Sequence, residues 1–419
     1  MAQPVSSTPF RSSNNERLVF PPGFLWGAAT SAHQVEGQNR NTDWWRSEQA
    51  GLVPEQSGDA ADHWNRYPGD ILLMHELGLN MYRFSVEWAR IEPRPGQFDQ
   101  SALDHYRRLI DTLLGCDIEP LVTLHHFTNP LWLADRGGWH APDVVGRFAD
   151  YADRVARQLC DVARWWITVN EPSVAGSMGY IDGGWPPHRR GNLAGYARHV
   201  GASLRGHVAA RAALRSHRDD ALVGAALAFH PLSPLRRLHP GDHLATLLAR
   251  WFGERKILVD LAPHLDWVGV NYYFRARIKM LWPPRTAFAQ LEPGPGDKSD
   301  FGWEIYPQGL FDVLVQVARF GKPVLITENG IADADDDQRP GYILEHLRQA
   351  HRAVRHGLDL RGYIHWSLLD NFEWAQGFSK RFGLLHVDFH TQERTARPSA
   401  RLYSKIAMEN AIHAGGASC

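Results

Sequence analysis

The stretch Trp165-Trp-Ile-Thr-Val-Asn-Glu-Pro172 decides the fold, because an apolar run of strand length ends in the polar pair Asn170-Glu171. Its branched and aromatic side chains predict a β-strand over Trp165–Asn170. Runs of the same kind recur along the chain, and most precede a longer segment with apolar residues at helical intervals, such as residues 103–114. This alternation predicts a succession of βα units.

Eight such units predict one closed α/β barrel, the (β/α)8 or TIM-barrel architecture, with elaborated βα loops. The chain of 419 residues is long enough for this barrel, and it contains no Pro-, Gly- and Ser-rich linker and no short internal repeat. We therefore expect a single domain over residues 17–419, preceded by a flexible tail over residues 1–16. The predicted strands are residues 24–30, 80–85, 119–124, 165–170, 222–229, 267–271, 324–327 and 362–366.

The composition indicates a soluble globular protein, with 44% hydrophobic and 22% charged residues. The net charge of -1 provides no field that would attract nucleic acid or a membrane surface. We therefore expect a neutral small-molecule substrate, and no oligomeric state is predicted. Three scattered cysteines, Cys116, Cys160 and Cys419, form no disulfide framework, and the N-terminus lacks the apolar core of a secretory signal. These features predict a cytoplasmic location.

Polar residues collect at the ends of the predicted strands, where the βα loops of a barrel converge around one cleft. A single glutamate at such a position is as often a salt-bridge partner as a functional group. Two glutamates, Glu171 and Glu328, occupy matching positions directly after the predicted fourth and seventh strands. If they face each other across the barrel mouth, they form the carboxylate pair that glycoside hydrolysis requires. The other polar groups at strand ends are His33, Gln34, Glu36, Arg83, His125, His126, Asn170, Asn271, Tyr272, Tyr273, Asn329, Asp370 and Glu373.

Hydrolysis by such a pair needs one ionised carboxylate that attacks the anomeric carbon and one protonated carboxyl that protonates the leaving oxygen. Arg83 and a tyrosine hydroxyl would favour the charged form of the first group, and that charge would raise the pKa of the second. Aromatic rings supply the apolar surface on which a pyranose packs. Most of the sixteen tryptophans are expected in the core. Trp366 and Trp374, at and after the eighth strand, are the best candidates for sugar contacts.

Seven motifs that follow one another in order over residues 20–406 resemble glycoside hydrolase family 1, the β-glucosidase and β-galactosidase family with a TIM-barrel fold. One short motif is weak support, whereas seven in order are highly specific. They are Phe24-Leu-Trp-Gly-Ala-Ala-Thr-Ser-Ala-His-Gln-Val-Glu-Gly37, Tyr82-Arg-Phe-Ser85, Leu124-His-His126, Asn170-Glu-Pro172, Gly269-Val-Asn-Tyr-Tyr273, Thr327-Glu-Asn-Gly330 and His365-Trp-Ser-Leu-Leu-Asp-Asn-Phe-Glu-Trp374.

The resemblance implies a retaining, exo-acting β-glycosidase, above all a β-glucosidase with β-galactosidase or β-fucosidase activity beside it. Such an enzyme removes the non-reducing terminal β-D-glycosyl residue of a glycoside or oligosaccharide through a covalent glycosyl-enzyme intermediate, with carboxyl groups about 5–5.5 Å apart. No metal or organic cofactor is implied. The implied catalytic set is Glu171 as acid/base, Glu328 as nucleophile, and Arg83 and Tyr273 as the groups that hold the nucleophile. The implied sugar-binding set is Gln34, His126, Asn170, Trp366, Glu373 and Trp374.

The sequence departs from the family pattern on the expected leaving-group side. Phe127 replaces the usual Trp, Thr128-Asn-Pro130 replaces a more common Asp-Leu-Pro, and the chain is short between residues 230 and 266. Residues 281–300, rich in Pro and Gly, are predicted as either a lid or a passive connector. Glu373 disfavours the branch that acts on 6-phosphorylated sugars, because a carboxylate there would repel a phosphate.

Other readings are weaker. A Schiff-base enzyme would need a lysine at a strand end, and Lys256, Lys322 and Lys380 are not predicted there. A metal-dependent hydrolase would need a His-x-His ligand pair, whereas His125-His126 places its rings on opposite strand faces. The acidic residues 333–337 lack the EF-hand pattern and predict a solvated loop. A transglycosidase using the same site, or a catalytically silent sugar-binding member of the fold, stays open as an alternative.

Overall fold

A computed structural model describes residues 17–281 and 289–413 of the chain. Within these residues, eight parallel strands close into a barrel in which neighbours along the chain are also neighbours in the sheet. The predicted TIM barrel is therefore confirmed, while the predicted tail over residues 1–16 lies outside the described residues. The strands are β1 (Leu25–Ala29), β2 (Met81–Ser85), β3 (Glu119–His125), β4 (Trp165–Asn170), β5 (Leu222–Ala228), β6 (Trp267–Asn271), β7 (Val324–Asn329) and β8 (Leu360–Trp366).

Both faces of the barrel sheet are buried, which explains why its strands are apolar runs rather than alternating patterns. Side chains of alternate residues point inward and outward. Val122 and Trp166, for example, pack outward in the large core shared with the helices. The inner core takes at least one buried side chain from each strand, including Ala29, Met81, Leu121, Ile167, Ala226, Trp267, Leu325 and Ile364.

Helices follow the strands and cover the barrel. The helical segment predicted at residues 103–114 lies within Gln100–Gly115, where Asp99 caps the first turn by accepting hydrogen bonds from the amides of Ser101 and Ala102. The longer helices are His63–Glu76, Gln100–Gly115, Val144–Leu159, Leu193–His217, Pro240–Arg250, Pro307–Ala318, Arg339–Arg355 and Pro398–Glu409. The shorter ones are Ala32–Val35, Asp43–Gln49, Trp88–Ile91, Leu131–Asp135, Pro172–Gly176 and Lys256–Leu261.

Small sheets lie outside the barrel. Arg17–Val19 pairs with Ala411–His413, and Leu385–Val387 pairs with Arg394–Ala396. A third sheet joins Leu232–Pro234, Ala276–Met280 and Ala289–Pro293. Part of the segment predicted as a lid or a connector is thus the second strand of a hairpin, and residues 282–288 lie outside the described part of the chain. Among the described residues, no helix combines the length and the apolar character that crossing a membrane requires.

The acidic segment 333–337 differs from the predicted solvated loop. Asp335 and Asp337 are exposed, but Asp333 and Asp336 are buried. The Asp333 carboxylate accepts hydrogen bonds from the backbone amides of Gln338 and Arg339, which begin the helix Arg339–Arg355. Asp336 forms an ion pair with the buried Arg339. Half of this acidic run is therefore structural, because it anchors the helix that follows β7.

Candidate active site

The predicted site residues meet at one end of the barrel, where the strands end. Arg83 lies in β2, and Asn170 and Glu328 are at the ends of β4 and β7. Glu171 and Glu328 are only 8% and 4% exposed, so both carboxyl groups lie in a largely dry environment. The structure thereby brings together the two glutamates that the sequence placed at separate strand ends.

Glu328 is held by two donors. One carboxylate oxygen accepts a hydrogen bond from Nη1 of Arg83 at 2.5 Å, within an ion pair whose guanidinium is fully buried. The other oxygen accepts a hydrogen bond from the Tyr273 hydroxyl at 2.5 Å. Burial, with the charge of Glu328, raises the pKa of Tyr273 well above its usual value, so this hydroxyl keeps its proton. These two charge-assisted contacts fix the orientation of the Glu328 carboxylate.

Glu171 has the opposite environment. Its Oε1 accepts a hydrogen bond at 2.8 Å from Nδ2 of Asn271, which is a neutral donor. Burial first, and then the negative charge of Glu328, raise the pKa of Glu171 to about 8, although Asn271 and the charge of Arg83 lower it in part. A carboxyl with this pKa still carries its proton at neutral pH. The two glutamates therefore have unlike surroundings, since Glu328 contacts a guanidinium and a hydroxyl whereas Glu171 contacts a neutral amide.

Asn170 connects the two halves of the site. Its side-chain oxygen accepts hydrogen bonds from Nη2 of Arg83 at 2.6 Å and from Nδ2 of Asn271 at 3.2 Å. Its side-chain nitrogen lies 3.1 Å from Nε2 of His126. Burial and the nearby charge of Arg83 lower the pKa of His126 well below its usual value, so the ring is neutral. Its Nε2 can then accept the hydrogen bond that the Asn170 amide donates.

Gln34 and Glu373 form a second polar group at the same end of the barrel. Nε2 of Gln34 donates hydrogen bonds to Oε2 of Glu373 at 3.2 Å and to Oδ1 of Asn371 at 3.0 Å. Burial, followed by the charge of Glu328, raises the pKa of Glu373 to about 8. Glu373 is therefore close enough to Glu328 to feel its charge, and at neutral pH it too is protonated.

Aromatic rings line the site beside these polar groups. The ring of His126 stacks at 5.8 Å from Trp366 and at 6.1 Å from Trp374. Trp374 also stacks on His33, at 5.8 Å with an interplanar angle of 9°. All ten predicted residues therefore belong to one cluster. The aromatic rings offer apolar surfaces next to fixed donors and acceptors, which is the combination that recognises a sugar.

The backbone is strained at three positions of this site. Glu171, Phe127 and Trp374 have φ angles of 43°, 72° and 49°, in the left-handed region that non-glycine residues rarely adopt. Such conformations persist where the surrounding structure imposes them, and they cluster at functional sites. Residue 330 must be a glycine because the backbone of Trp366 passes close to it, and a Cβ atom there would overlap the carbonyl oxygen of Trp366. The site is thus built at some conformational cost.

Phe127 and Asn129, two of the residues that depart from the family pattern, lie next to the site. The ring of Phe127 is 5.2 Å from that of Trp374 and 5.0 Å from that of Trp185. Asn129 donates hydrogen bonds from its backbone and side-chain amides to the carboxylate of Asp43, at 3.0 and 2.7 Å. These residues tie the loop after β1 to the loop after β3 and border a cavity of about 480 Å³.

Two residues that contact the predicted site were not assigned a role from the sequence. Asn271, at the end of β6, is the donor to Glu171, and Asn371 orients Gln34. The sequence identified Asn271 as a polar residue at the end of a predicted strand. Its sequence distance of 100 residues from Glu171 gave no sign that their side chains meet.

The alternatives that need other residues gain no support. Lys256 lies on a helix and pairs with Asp260, and Lys380 donates to the carbonyl oxygen of Asp300. Nε2 of His125 is 3.2 Å from Oδ1 of Asn129, whereas Nε2 of the neighbouring His126 contacts Asn170. The two rings therefore lie in different environments. Among the residues that the structure describes, this site contains neither a Schiff-base lysine nor a His-x-His ligand pair, as expected from the sequence.

Comparisons with known proteins agree with this geometry. The family model of glycosyl hydrolase family 1 matches residues 16–260 and 253–412. The β-galactosidase of Sulfolobus acidocaldarius is 33% identical over 94% of this chain and 96% of its own, and β-glucosidase A of Thermotoga maritima is 34% identical over 94% and 98%. The structure of a β-glycosidase from Pyrococcus horikoshii superimposes with a TM-score of 0.89 at 37% identity, covering 95% of this chain and 96% of that one.

Structures of the Thermotoga maritima β-glucosidase in complex with glucoimidazole and with galacto-hydroximolactam are also similar. Each has a TM-score of 0.87 and 32% identity, and covers 94% of this chain and 99% of that one. The family model spans nearly the whole chain, and the relatives exceed 30% identity over nearly their full length. The chain belongs to glycosyl hydrolase family 1.

Proposed function

We propose that this β-glycosidase removes the terminal non-reducing sugar of a β-glycoside by a retaining mechanism, with Glu328 as nucleophile and Glu171 as acid/base. The observation that carries the proposal is the opposite setting of the two glutamates. Arg83 and Tyr273 hold Glu328 with two short hydrogen bonds. Burial and the charge of Glu328 raise the pKa of Glu171 to about 8. One carboxyl is thus prepared to attack and the other to donate a proton.

In the first step the Glu328 carboxylate attacks the anomeric carbon while Glu171 transfers its proton to the glycosidic oxygen. The bond to the leaving group breaks, and the products are a glycosyl ester on Glu328, a free alcohol and an ionised Glu171. Esterification removes the charge of Glu328, which is the second cause of the raised pKa of Glu171. That pKa then falls, and Glu171 can accept a proton from the water that hydrolyses the ester.

The remaining predicted residues bind the sugar. Asn170 is positioned by Arg83 and Asn271, so its amide can bond a hydroxyl next to the anomeric centre, where hydrogen bonds strengthen in the transition state. The sugar is expected to lie on Trp366 and beside Trp374, while Gln34, His126 and Glu373 contact its outer hydroxyls.

Glucose is the preferred sugar in this proposal, with galactose and fucose as further substrates. The similar proteins carry both names, β-glucosidase and β-galactosidase. Initial rates on a panel of 4-nitrophenyl β-glucoside, β-galactoside, β-fucoside and β-mannoside test the ranking. Adding an alcohol acceptor and analysing the products measures transglycosylation, and NMR of the first-formed anomer tests retention. An inverted first product would contradict the assignment of Glu328 as a nucleophile.

The roles of the two glutamates can be distinguished by how the rate of each variant depends on the leaving group of the substrate. Glu328→Ala should abolish turnover of every substrate. Glu171→Ala should slow a substrate with a poor leaving group by about a hundredfold to ten-thousandfold, and an activated aryl glycoside far less. Glu345→Ala, on the exposed face of a helix, is the matched control and should keep wild-type rates. Equal losses on both substrates in Glu171→Ala would show that Glu171 is not the acid.

We expect the enzyme to act in the cytoplasm. The support is chemical: Cys116 and Cys160 are free thiols in the described part of the chain, which suits a reducing compartment. Cell fractionation with activity measured in each fraction tests this, and activity confined to the medium would contradict it.

A further inference from the structure

A cavity of about 480 Å³ opens beside the sugar site. It lies between the loops that follow β1, β3 and β4, and five large aromatic side chains line it. A volume of this size exceeds what a single phenyl ring fills, so an extended flat group can enter it. The wall rings are Trp44, Phe127, Trp139, Tyr180 and Trp185.

The cavity shares walls with the catalytic centre. Phe127, Trp185 and Trp44 line the cavity, and each of their rings packs on Trp374, with centroid distances of 5.2, 5.7 and 4.7 Å. Ala175, another lining residue, lies in the helix Pro172–Gly176 that begins directly after Glu171. A group that leaves from the side of Glu171 therefore meets this cavity.

The charges around the cavity are unbalanced. Arg189 and Arg198 line it, both are exposed, and neither forms an ion pair with another residue in the ranges that the structure covers. Burial lowers the pKa of His140, and the charges of Arg198 and Arg189 lower it further, so both guanidinium groups act on the cavity wall where His140 stacks on Tyr180.

The other charged residues of the cavity are already engaged. Arg46 forms an ion pair with Asp135. The Asp43 carboxylate accepts two hydrogen bonds from Asn129 and a third from the backbone of Trp44. The free charge that faces a ligand is therefore positive.

We propose that this cavity binds the leaving group and selects β-glycosides of aromatic carboxylic acids, with the aromatic part between the rings and the carboxylate at Arg189 and Arg198. The inference rests on the proposed function, because the cavity is reached from the acid/base side of the site. Arginine pairs well with carboxylates through two parallel hydrogen bonds, and flat rings stack on tryptophan at little entropic cost.

The test compares the 4-O-β-glucoside of p-coumaric acid with that of its methyl ester. The two differ in one charge, and the ester phenol is the slightly better leaving group, so intrinsic reactivity opposes the expected preference. Because the arginines are exposed, we expect the acid to have a higher kcat/KM by about fivefold, mainly through KM, and less so in high salt. The double variant Arg189→Gln, Arg198→Gln should lose this preference and keep its activity on the ester.

Arg190→Gln is the matched control, because Arg190 is exposed and adjacent in sequence but does not line the cavity. It should keep the wild-type preference. Equal kcat/KM values for acid and ester in the wild type, or a preference that survives in the double variant, would overturn the inference and leave the proposed function intact. No hydrolysis of 4-nitrophenyl β-glucoside, measured in parallel, would instead refute the proposed function.

Discussion

Replacing Glu171 by Gln should make the protein more stable at alkaline pH and leave its stability unchanged in acid. Burial, and then the charge of Glu328, raise the pKa of Glu171 from 4.5 to about 8. In the unfolded chain this carboxyl ionises near its ordinary value, whereas in the folded protein it keeps its proton up to about pH 8. Stability from this group is therefore fully present below pH 4.5 and is lost as the pH rises towards 8.

The size of this change in stability follows from the interval between the unfolded and folded pKa values of Glu171. Each pH unit between the two pKa values lowers the free energy of unfolding by ~1.4 kcal/mol. At pH 7 the loss relative to pH 4.5 is on the order of 3 kcal/mol for Glu171 alone. A glutamine is neutral at every pH, has the same shape and can still accept the hydrogen bond from Asn271, so the variant avoids this loss.

Differential scanning calorimetry at pH 4 and pH 8 measures the difference. We expect Tm of Glu171→Gln to exceed that of the wild type by a few degrees at pH 8 and to equal it at pH 4. Glu345→Gln, on an exposed helix face, is the control and should show no gain that depends on pH. An equal gain at both pH values would mean that packing, not ionisation, is responsible. A loss of stability at pH 8 would refute the raised pKa.

Three further outcomes follow from the same contacts. For substrates with poor leaving groups, kcat/KM should fall above about pH 8 as Glu171 loses its proton, which a pH-rate profile measures. Asn271→Ala removes the amide that lowers the pKa of Glu171, so this limb of the profile should move to higher pH. Tyr273→Phe removes a charge-assisted hydrogen bond worth ~1.5–3 kcal/mol, so kcat on an aryl glucoside should fall about tenfold to a hundredfold; an unchanged kcat would exclude a role for Tyr273 in holding Glu328.

The barrel could be predicted from the sequence because each strand is buried on both faces and is therefore a short apolar run. All eight predicted strands appear in the structure. The main disagreements are at their ends: β3 continues through His125 and β7 through Asn329, each beyond the predicted limit. Site residues lie inside these strands, where the backbone is still paired although the side chain is polar. An apolar pattern cannot show the end of such a strand.

Contacts between distant residues could not be predicted from local pattern. Asn271 is 100 residues from Glu171, and Asn129 is 86 residues from Asp43, yet both pairs form short hydrogen bonds. The motif order indicated which residues share a site, but which amide reaches which carboxylate depends on side-chain directions at the barrel mouth. The strained backbone at Phe127 and Trp374 was equally invisible, because neither residue type favours a positive φ.

The charge of Glu328 adds to burial, which is the larger cause, in keeping the neighbouring carboxyl groups protonated. It contributes to the raised pKa of Glu171 and to that of Glu373, while Arg83 and Tyr273 hold Glu328 in place. In the proposed mechanism the charge of the nucleophile helps to keep its acid partner protonated, and esterification of the same carboxylate releases that partner to act as a base. The stability that Glu171 loses above pH 4.5 and its proposed ability to donate a proton at neutral pH both follow from its raised pKa. A substitution that relieves the first must abolish the second, so the expected gain in Tm and the loss of acid catalysis should occur in the same variant.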